Sequence, residues 1–571
     1  MHDLTIPGIT AKKIKGRTYY YARQSQRVNG KPKIVWQQYL GTAEDLIAAR
    51  HQMPVPRQAT VHEFGASSAL LDFAAQLDIR NRVDRHVPKR SRNGISVGTC
   101  ILIATLNRCL APCSKQLLAH WYDNTVLPRL LGVPASRLTS QRFWDNMDRI
   151  PPDTLPAIEQ DIVRHMVTRF QVDVSQLLFD AASFFTCIDS FNDQASLAQR
   201  GHSKEGRKSL RIVGLALLAT ADHHLPILHH AYPGNQPDSP AFGSLADALA
   251  ARFHVLDPER ESKVMLVFDK GSNSRENIEA LRNGPCHVIG SLVPSQHPDL
   301  LAVPPSQFRA LEQWPGVSTW RTVTRLHGAD YTVVVVKNQH FAQAQTATLL
   351  REIARCRQQL REIQRQLRRW EQGLVTRGRH PAMDTVGKRV QHCLKAQHMK
   401  KLFRVSIDRS ARSLPRLTYR FDRKAWQRLQ QTLLGKNLIF TDRGDLSDAQ
   451  IVHGYRSQHH VERAFRDLKD ARHLAIRPQH HWTDQKIRIH VFICVLALML
   501  QTLLCRHLAR SGCTLSGNRI LKELAAIREV GVVYPATGRG RPPHMKMTLS
   551  TLSEEQEKLY RMLQLERYRN R

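Results

Sequence analysis

The stretch Tyr455-Arg456-Ser457-Gln458-His459-His460-Val461-Glu462-Arg463-Ala464-Phe465-Arg466-Asp467-Leu468-Lys469 decides how the rest of the chain is read. At about 100° per residue, the steps from Tyr455 to Glu462 and from Glu462 to Lys469 each return to nearly the same helix azimuth, with Arg466 one turn past the glutamate. One carboxylate then stands among cations on a single stripe, and Ile451, Val461, Phe465 and Leu468 form an apolar stripe beside it. Such a helix seats on a core while holding Glu462 in a basic groove, a setting that suits a metal ion bound next to a polyanion. A surface helix laced with ion pairs such as Glu462 with Arg466 is the other reading.

Two further acids sit in apolar runs. Val174 to Thr186 is strand-like and carries Asp180, a residue type poorly suited to a strand interior unless something such as a metal needs it. After the turn Gly201-His202-Ser203-Lys204, the β-rich runs Leu210 to Thr220 and Leu225 to Ala231 continue it as an antiparallel meander that ends in Tyr232-Pro233-Gly234-Asn235. Val264 to Phe268 then reads as a buried strand whose carboxyl end presents Asp269 in an Asp-x-Gly turn, as a metal ligand or as a turn cap.

Length and charge set the class. A chain of 571 residues divides into several domains. Lys+Arg 84 against Asp+Glu 49 gives +35 and a pI near 10.3, while 42% hydrophobic residues allow ordinary cores. A folded basic protein with a polyanionic partner is expected, and nucleic acid fits best because each neutralised phosphate releases counterions. The ten cysteines are scattered without a CxxC pair, which reads as reduced thiols in a reducing cytoplasm. The start Met1-His2-Asp3-Leu4 shows no secretion signal, and the apolar run Val491 to Leu504, broken by Gln501, reads as a buried core helix, so no membrane is expected.

Around these segments the chain divides at residues 1–50, 51–170, 171–300, 301–435, 436–510 and 511–571. The first is a basic β-hairpin unit, Arg17 to Arg23 and Lys33 to Leu40 about the turn Asn29-Gly30. The second is a helical module with segments Ser68 to Leu77, Val97 to Leu110 and Leu155 to Phe170; in it, Ser140 to Asn146 is either a DNA-reading helix or a packing one. The fourth is a β-rich and helical insertion. Leu349, Ile353, Cys356, Leu360, Ile363, Leu367 and Trp370 make a heptad seam there, either a coiled coil or a hairpin packed within its own domain. The basic tail carries Gly538-Arg539-Gly540-Arg541-Pro542, which suits an A·T-rich minor groove or a Pro/Gly linker, and then a last helix.

In this order the segments resemble the bacterial insertion-sequence transposases with the signature Tyr-(2)-Arg-(3)-Glu-(6)-Lys. Tyr455, Glu462 and Lys469 match it; Gln458 stands at the arginine position. The resemblance implies an α/β multidomain fold: an RNase H-like mixed β-sheet core flanked by helices, interrupted by an insertion between the second aspartate and the glutamate. It implies a catalytic and metal-binding trio of Asp180, Asp269 and Glu462 holding two Mg2+ ions, with Mn2+ able to substitute. Tyr455, Arg456, Arg466, Lys469, Lys204, Arg539 and Arg541 are the DNA-binding candidates, Arg456 or Arg466 replacing the missing arginine. The implied protein binds double-stranded DNA at its element's terminal inverted repeats and at the target, cleaves and transfers strands, acts as a homodimer in the DNA complex, and resides with the bacterial nucleoid. An RNase H-like nuclease that cuts without joining, or a non-catalytic DNA-binding derivative, are the alternatives.

Overall fold

Strand β1 (Gln176–Phe185) is apolar over most of its length and lies inside a nine-stranded mixed sheet. On one side, β2 (Ile212–Thr220) and β3 (Pro226–Pro233) complete an antiparallel meander. On the other, β4 (Val264–Phe268) runs parallel to β1, and β5 (Cys286–Leu292) runs parallel to β4. The sheet is extended antiparallel by β6 (Arg309–Ala310), β7 (Val317–Leu326), β8 (Ala329–Asn338) and β9 (Lys436–Thr441), giving the order β6-β7-β8-β9-β5-β4-β1-β2-β3. This computed structural model describes residues 8–28, 31–51, 55–88, 94–189, 191–201, 206, 209–256, 263–284, 286–375, 377–410, 412–477, 479–535 and 544–569.

Helices α1 (Val97–Leu110) and α2 (Leu155–Phe170) coincide with the helical pattern of the sequence. Helices α3 (Asp238–Leu256) and α4 (Arg275–Asn283) follow β3 and β4, α5 (Gln339–Glu371) opens the insertion, and α6 (Asp448–Arg456), α7 (His459–Leu468) and α8 (Asp484–Arg510) follow β9. Among the described residues α8 is the one helix long and apolar enough to cross a membrane, and 89% of that apolar window is buried inside the protein. It packs on α1, where Gln501 donates to the Cys109 carbonyl at 3.1 Å, and its Phe492 ring stacks on His229 of β3. Helix Ser140–Asp148 buries Phe143, Asn146 and Met147, and Trp144 of that helix meets His481 edge-on, so its apolar stripe is used for packing.

An aromatic seam runs along one face of the sheet. Phe242 of α3 meets Phe179 of β1 at 4.7 Å and Phe268 of β4 at 4.9 Å; Phe268 meets Phe440 of β9 at 6.2 Å, and Phe440 meets Tyr331 of β8 at 5.5 Å. Edge-on pairs of this kind each contribute about 0.5–1.5 kcal/mol beyond the area they bury. The seam crosses β5 at Gly290, which is the register partner of both Phe268 and Phe440. A Cβ at that position would lie 2.5 Å from the Phe440 ring and 2.9 Å from the Phe268 ring, so the two rings close over the missing side chain.

Several boundaries differ from the sequence reading. The β7–β8 hairpin, expected inside the insertion, is hydrogen-bonded to β9 and is part of the sheet, because the Thr332–Val336 run of β8 offers β9 an apolar, buried edge. The chain leaves the sheet only after Asn338, whose side chain caps α5 by accepting from the Phe341 N–H at 3.1 Å, and it returns at Lys436. The heptad seam of α5 is internal: Leu349, Ile353, Cys356, Leu360, Ile363 and Leu367 are buried with Val386, Val390, Leu402, Phe403 and Leu417 of the same insertion. The ribbon Phe403–Arg409 with Pro415–Phe421 closes that cluster.

The chain divides into two compact units; the sheet belongs to Ala69–Tyr122 with Leu131–Leu521, and the other unit is Met1–Ser68, Asp123–Leu130 and Lys522–Arg571. In the second unit the expected hairpin is a three-stranded sheet, since Gly8–Ile14 pairs antiparallel with Arg17–Val28, which pairs with Lys31–Gly41. The turn Asn29-Gly30 lies outside the described residues. The C-terminal segment, expected as a tail, contributes Arg528–Tyr534, which pairs with Gln58–Glu63 on one side and His544–Leu549 on the other. Alternating Val530 and Val532 give it a half-buried strand pattern that a charge-based reading overlooks.

The seam makes a testable claim. Gly290→Val should force the Phe268 and Phe440 rings apart and lower stability by about 1–3 kcal/mol, as overpacked cores do. Urea unfolding followed by circular dichroism reads this directly, and an unchanged midpoint would rule out ring closure at this position.

Candidate active site

Strands β1 and β4 pair in parallel up to Leu178 and Val267. Asp180 and Asp269 each lie two residues beyond that pair, so the alternation of a strand turns both to the face that Phe179 and Phe268 leave free. Ser291 follows Gly290 on β5 and faces the same way. Its hydroxyl donates to Asp269 Oδ1 at 2.8 Å, and the Tyr455 hydroxyl donates to the same oxygen at 3.0 Å. Burial pushes the Asp269 carboxyl up, but the Lys270 backbone N–H, Ser291, Tyr455 and the Lys270 charge together outweigh it and hold the group below the usual carboxylate range. Burial and the Asp269 charge push the Tyr455 phenol up to about 12, so it stays a donor. Asp180 is half-buried, and its Oδ1 accepts from the Ala181 N–H at 2.8 Å.

The signature segment is two helices, not one. Helix α6 ends at Arg456 and α7 begins at His459, with Ser457 and Gln458 in a tight turn between them. The sheet fastens this break: Gln176 of β1 donates to Ser457 Oγ at 2.8 Å and to the Gly454 carbonyl at 3.3 Å, and Gln458 donates to the Phe179 carbonyl at 2.5 Å. Gly454 packs closely on β5, where a Cβ would lie 2.8 Å from the Cδ1 end of Ile289. The even spacing of Tyr455, Glu462 and Lys469 on one straight stripe is therefore interrupted. Gln458, at the position where the signature carries arginine, is 7% exposed and turned into the sheet beside Asp180, which is why a neutral amide serves there.

Asp269, Tyr455, Arg456, Gln458, His459 and Glu462 line one cleft of about 280 Å3 between α6, α7 and the strand ends. A second cleft of about 650 Å3 adjoins it on the insertion side, shares Asp269, Tyr455, Phe341 and Asn437, and adds Lys270 and Lys436. The Arg456 guanidinium lies 4.8 Å from the centre of the Trp314 ring, at the edge of the first cleft. Arg466 lies one turn further along α7 and Lys469 just past its end, and neither lines this cleft. Lys204, Arg539 and Arg541 lie outside the described residues. Ser291 and Asn437 are site residues that the sequence did not flag; a small polar side chain in each of the apolar strands β5 and β9 was the available signal.

Carboxylate oxygens facing one cleft, with Asp269 held ionised, suit a hard divalent cation. Among the described residues no three His, Cys, Asp or Glu side chains are grouped so as to hold a metal ion, so Asp180, Asp269 and Glu462 are not drawn into one ligand set in this structure.

Residues 185–500 match the transposase DDE domain family, more than half of the chain. The chain belongs to that family. The matched region of this transposase includes Asp269 and Glu462 and begins five residues after Asp180. No curated relative matches the sequence. Among solved structures, a cryo-EM structure of piggyBac transposase in a synaptic complex with hairpin DNA aligns over 80% of this chain and 79% of that one, at 10% identity and a TM-score of 0.36. That likeness is too remote to bear on the site.

Two substitutions test the geometry. Tyr455→Phe removes the donor to Asp269 while keeping the ring, and strand cleavage should fall about 10–100-fold, the usual cost of losing a group that orients a ligand carboxylate. Unaltered cleavage would mean that the phenol plays no part. Gln458→Arg restores the signature but buries a guanidinium at a 7% exposed position, and the thermal midpoint should drop by an amount corresponding to about 1–3 kcal/mol.

Proposed function

We propose that this protein is the DNA transposase of an insertion sequence, which binds the terminal inverted repeats of its element and catalyses Mg2+-dependent strand cleavage and strand transfer. The observation that carries this reading is the cleft shared by Asp269 and Glu462, with Asp180 at the matching position of the neighbouring strand. The antiparallel meander followed by two parallel strands supports an RNase H-like core.

In this reading Asp180, Asp269 and Glu462 would hold two Mg2+ ions, with Mn2+ as a substitute, which when bound activate the attacking oxygen and stabilise the leaving one. The protein's own groups do the rest. Tyr455 and Ser291 fix the orientation of the Asp269 carboxylate through its Oδ1. Arg456, stacked on Trp314 beside Glu462, supplies the phosphate contact that Gln458 does not. Arg466 and Lys469 extend the grip along the DNA strand, and Lys204, Arg539 and Arg541 add contacts to the duplex. The partner is double-stranded DNA, both element ends and target, engaged by a homodimer in the bacterial cytoplasm at the nucleoid.

Cleavage and joining of labelled DNA carrying the gene's own flanks, in Mg2+, test the reading. Native protein should cut at the repeat ends and join them to target, while Asp180→Asn, Asp269→Asn and Glu462→Gln each lose about 10³-fold or more, corresponding to several kcal/mol of charge stabilisation. Binding without any cutting by the native protein would defeat the proposal, and cutting that survives Glu462→Gln would exclude that carboxylate.

A further inference from the structure

The insertion carries a charge that the catalytic cleft does not use. Residues 339–435 hold 22 Lys and Arg against 6 Asp and Glu, a surplus of 16 in a chain whose total is +35. Helix α5 concentrates it. Arg351, Arg355, Arg357, Arg361, Arg365, Arg368 and Arg369 are all exposed, with only Glu352 and Glu362 interspersed between the first and last of them. At about 100° per residue, all seven fall between about 80° and 240° from the centre of the buried seam; Arg357, at the edge of that arc, lies over the Phe421 ring at 5.5 Å, and the other six face away from the cluster. Arg365 is 69% exposed although it pairs with Glu362.

This arrangement runs against the helix's own stability. Arg351 with Arg355, and Arg357, Arg361, Arg365 and Arg369 in succession, are like charges at i,i+4, each pair costing about 0.2–0.5 kcal/mol. The helix is held by its seam, the Arg365–Glu362 pair offsets part of the repulsion, and a polyanion along this face would relieve the rest. From Arg351 to Arg369 the helix extends about 27 Å, the rise of about eight base pairs at 3.4 Å each. A membrane surface is the wrong partner, because the apolar stripe that would enter lipid is inside the cluster.

We infer that the arginine face of α5 is a second, non-catalytic DNA surface that lies along the sugar-phosphate backbone of a duplex and neutralises its phosphates without reading bases. This rests on the transposase reading and names what the insertion adds to it: a grip outside the catalytic cleft. Guanidinium groups on a rigid helix match phosphate oxygens, and interactions of this kind set affinity and register without sequence preference.

The test compares full-length native protein with R361Q/R365Q/R369Q and with a charge-matched control, R164Q/R275Q/R325Q, whose residues are exposed, scattered and outside the insertion. Thermal midpoints no lower than that of the native protein establish that the folds are retained. Binding to a 20-base-pair duplex of arbitrary sequence is followed by fluorescence anisotropy from 50 to 250 mM NaCl, which are assay settings of about the range where counterion release is read. The α5 variant should flatten the log–log salt dependence by about 2–3, near 0.9 for each phosphate that is no longer neutralised, and the control should leave it within about 0.5. An unchanged slope in the α5 variant, or equal flattening in the control, overturns the inference, as does single-stranded RNA competing better than duplex DNA. Cleavage at the element ends is scored in parallel. If native protein does not cut but the slope shifts, the transposase reading fails and the surface stands; if it cuts and the slope does not move, the surface fails alone.

Discussion

The constraint on which the site depends is the two-residue alternation of strands locked by the aromatic seam. Phe179 and Phe268 are each followed by the aspartate of interest, and both rings are held to one face by Phe242, with Phe440 closing over Gly290. A slip of one residue in either strand would turn its aspartate into the apolar layer and its ring toward the cleft. The rings therefore fix where the acids face, and burying them costs nothing that the acids must recover.

The opposite face is assembled by polar fastening. The Gln176 side chain of β1 and the bond from Gln458 to the β1 backbone tie down the break between α6 and α7, and Tyr455 ties α6 to Asp269 across the strand end. Each of these bonds leaves water behind, and together they set the angle at which α7 presents Glu462. The position that carries arginine in the signature is spent on this fastening, and the neighbouring Arg456 lines the same cleft with its guanidinium over the Trp314 ring.

The insertion solves a different problem. The like-charge i,i+4 spacing of α5 works against that helix, and it is held by a heptad seam that closes on the ribbon and helices of the same insertion. Packing inside and charge outside are separated by the helical period, which leaves the cations together on a rigid rod instead of scattered on loops.

Sequence by itself determined the local elements around the site. The meander, the strand ending in Asp269, the helices at Val97–Leu110 and Leu155–Phe170, and the buried α8 all follow from periodicity, because each buries a face that its own residue pattern defines. Membership of the DDE family was legible through the order of short motifs. Only the tertiary structure decided what crosses between distant segments: that β7 and β8 join the sheet through β9, that Arg528–Tyr534 returns to pair with Gln58–Glu63, and that Ser291 and Tyr455 converge on Asp269. Strand pairing and side-chain convergence depend on partners far along the chain, and no periodicity within a segment records which partner that is. The break at Ser457–Gln458 is the clearest case: the sequence there is compatible with one helix, and the Gln176 amide and the Phe179 carbonyl of β1 fasten it as two.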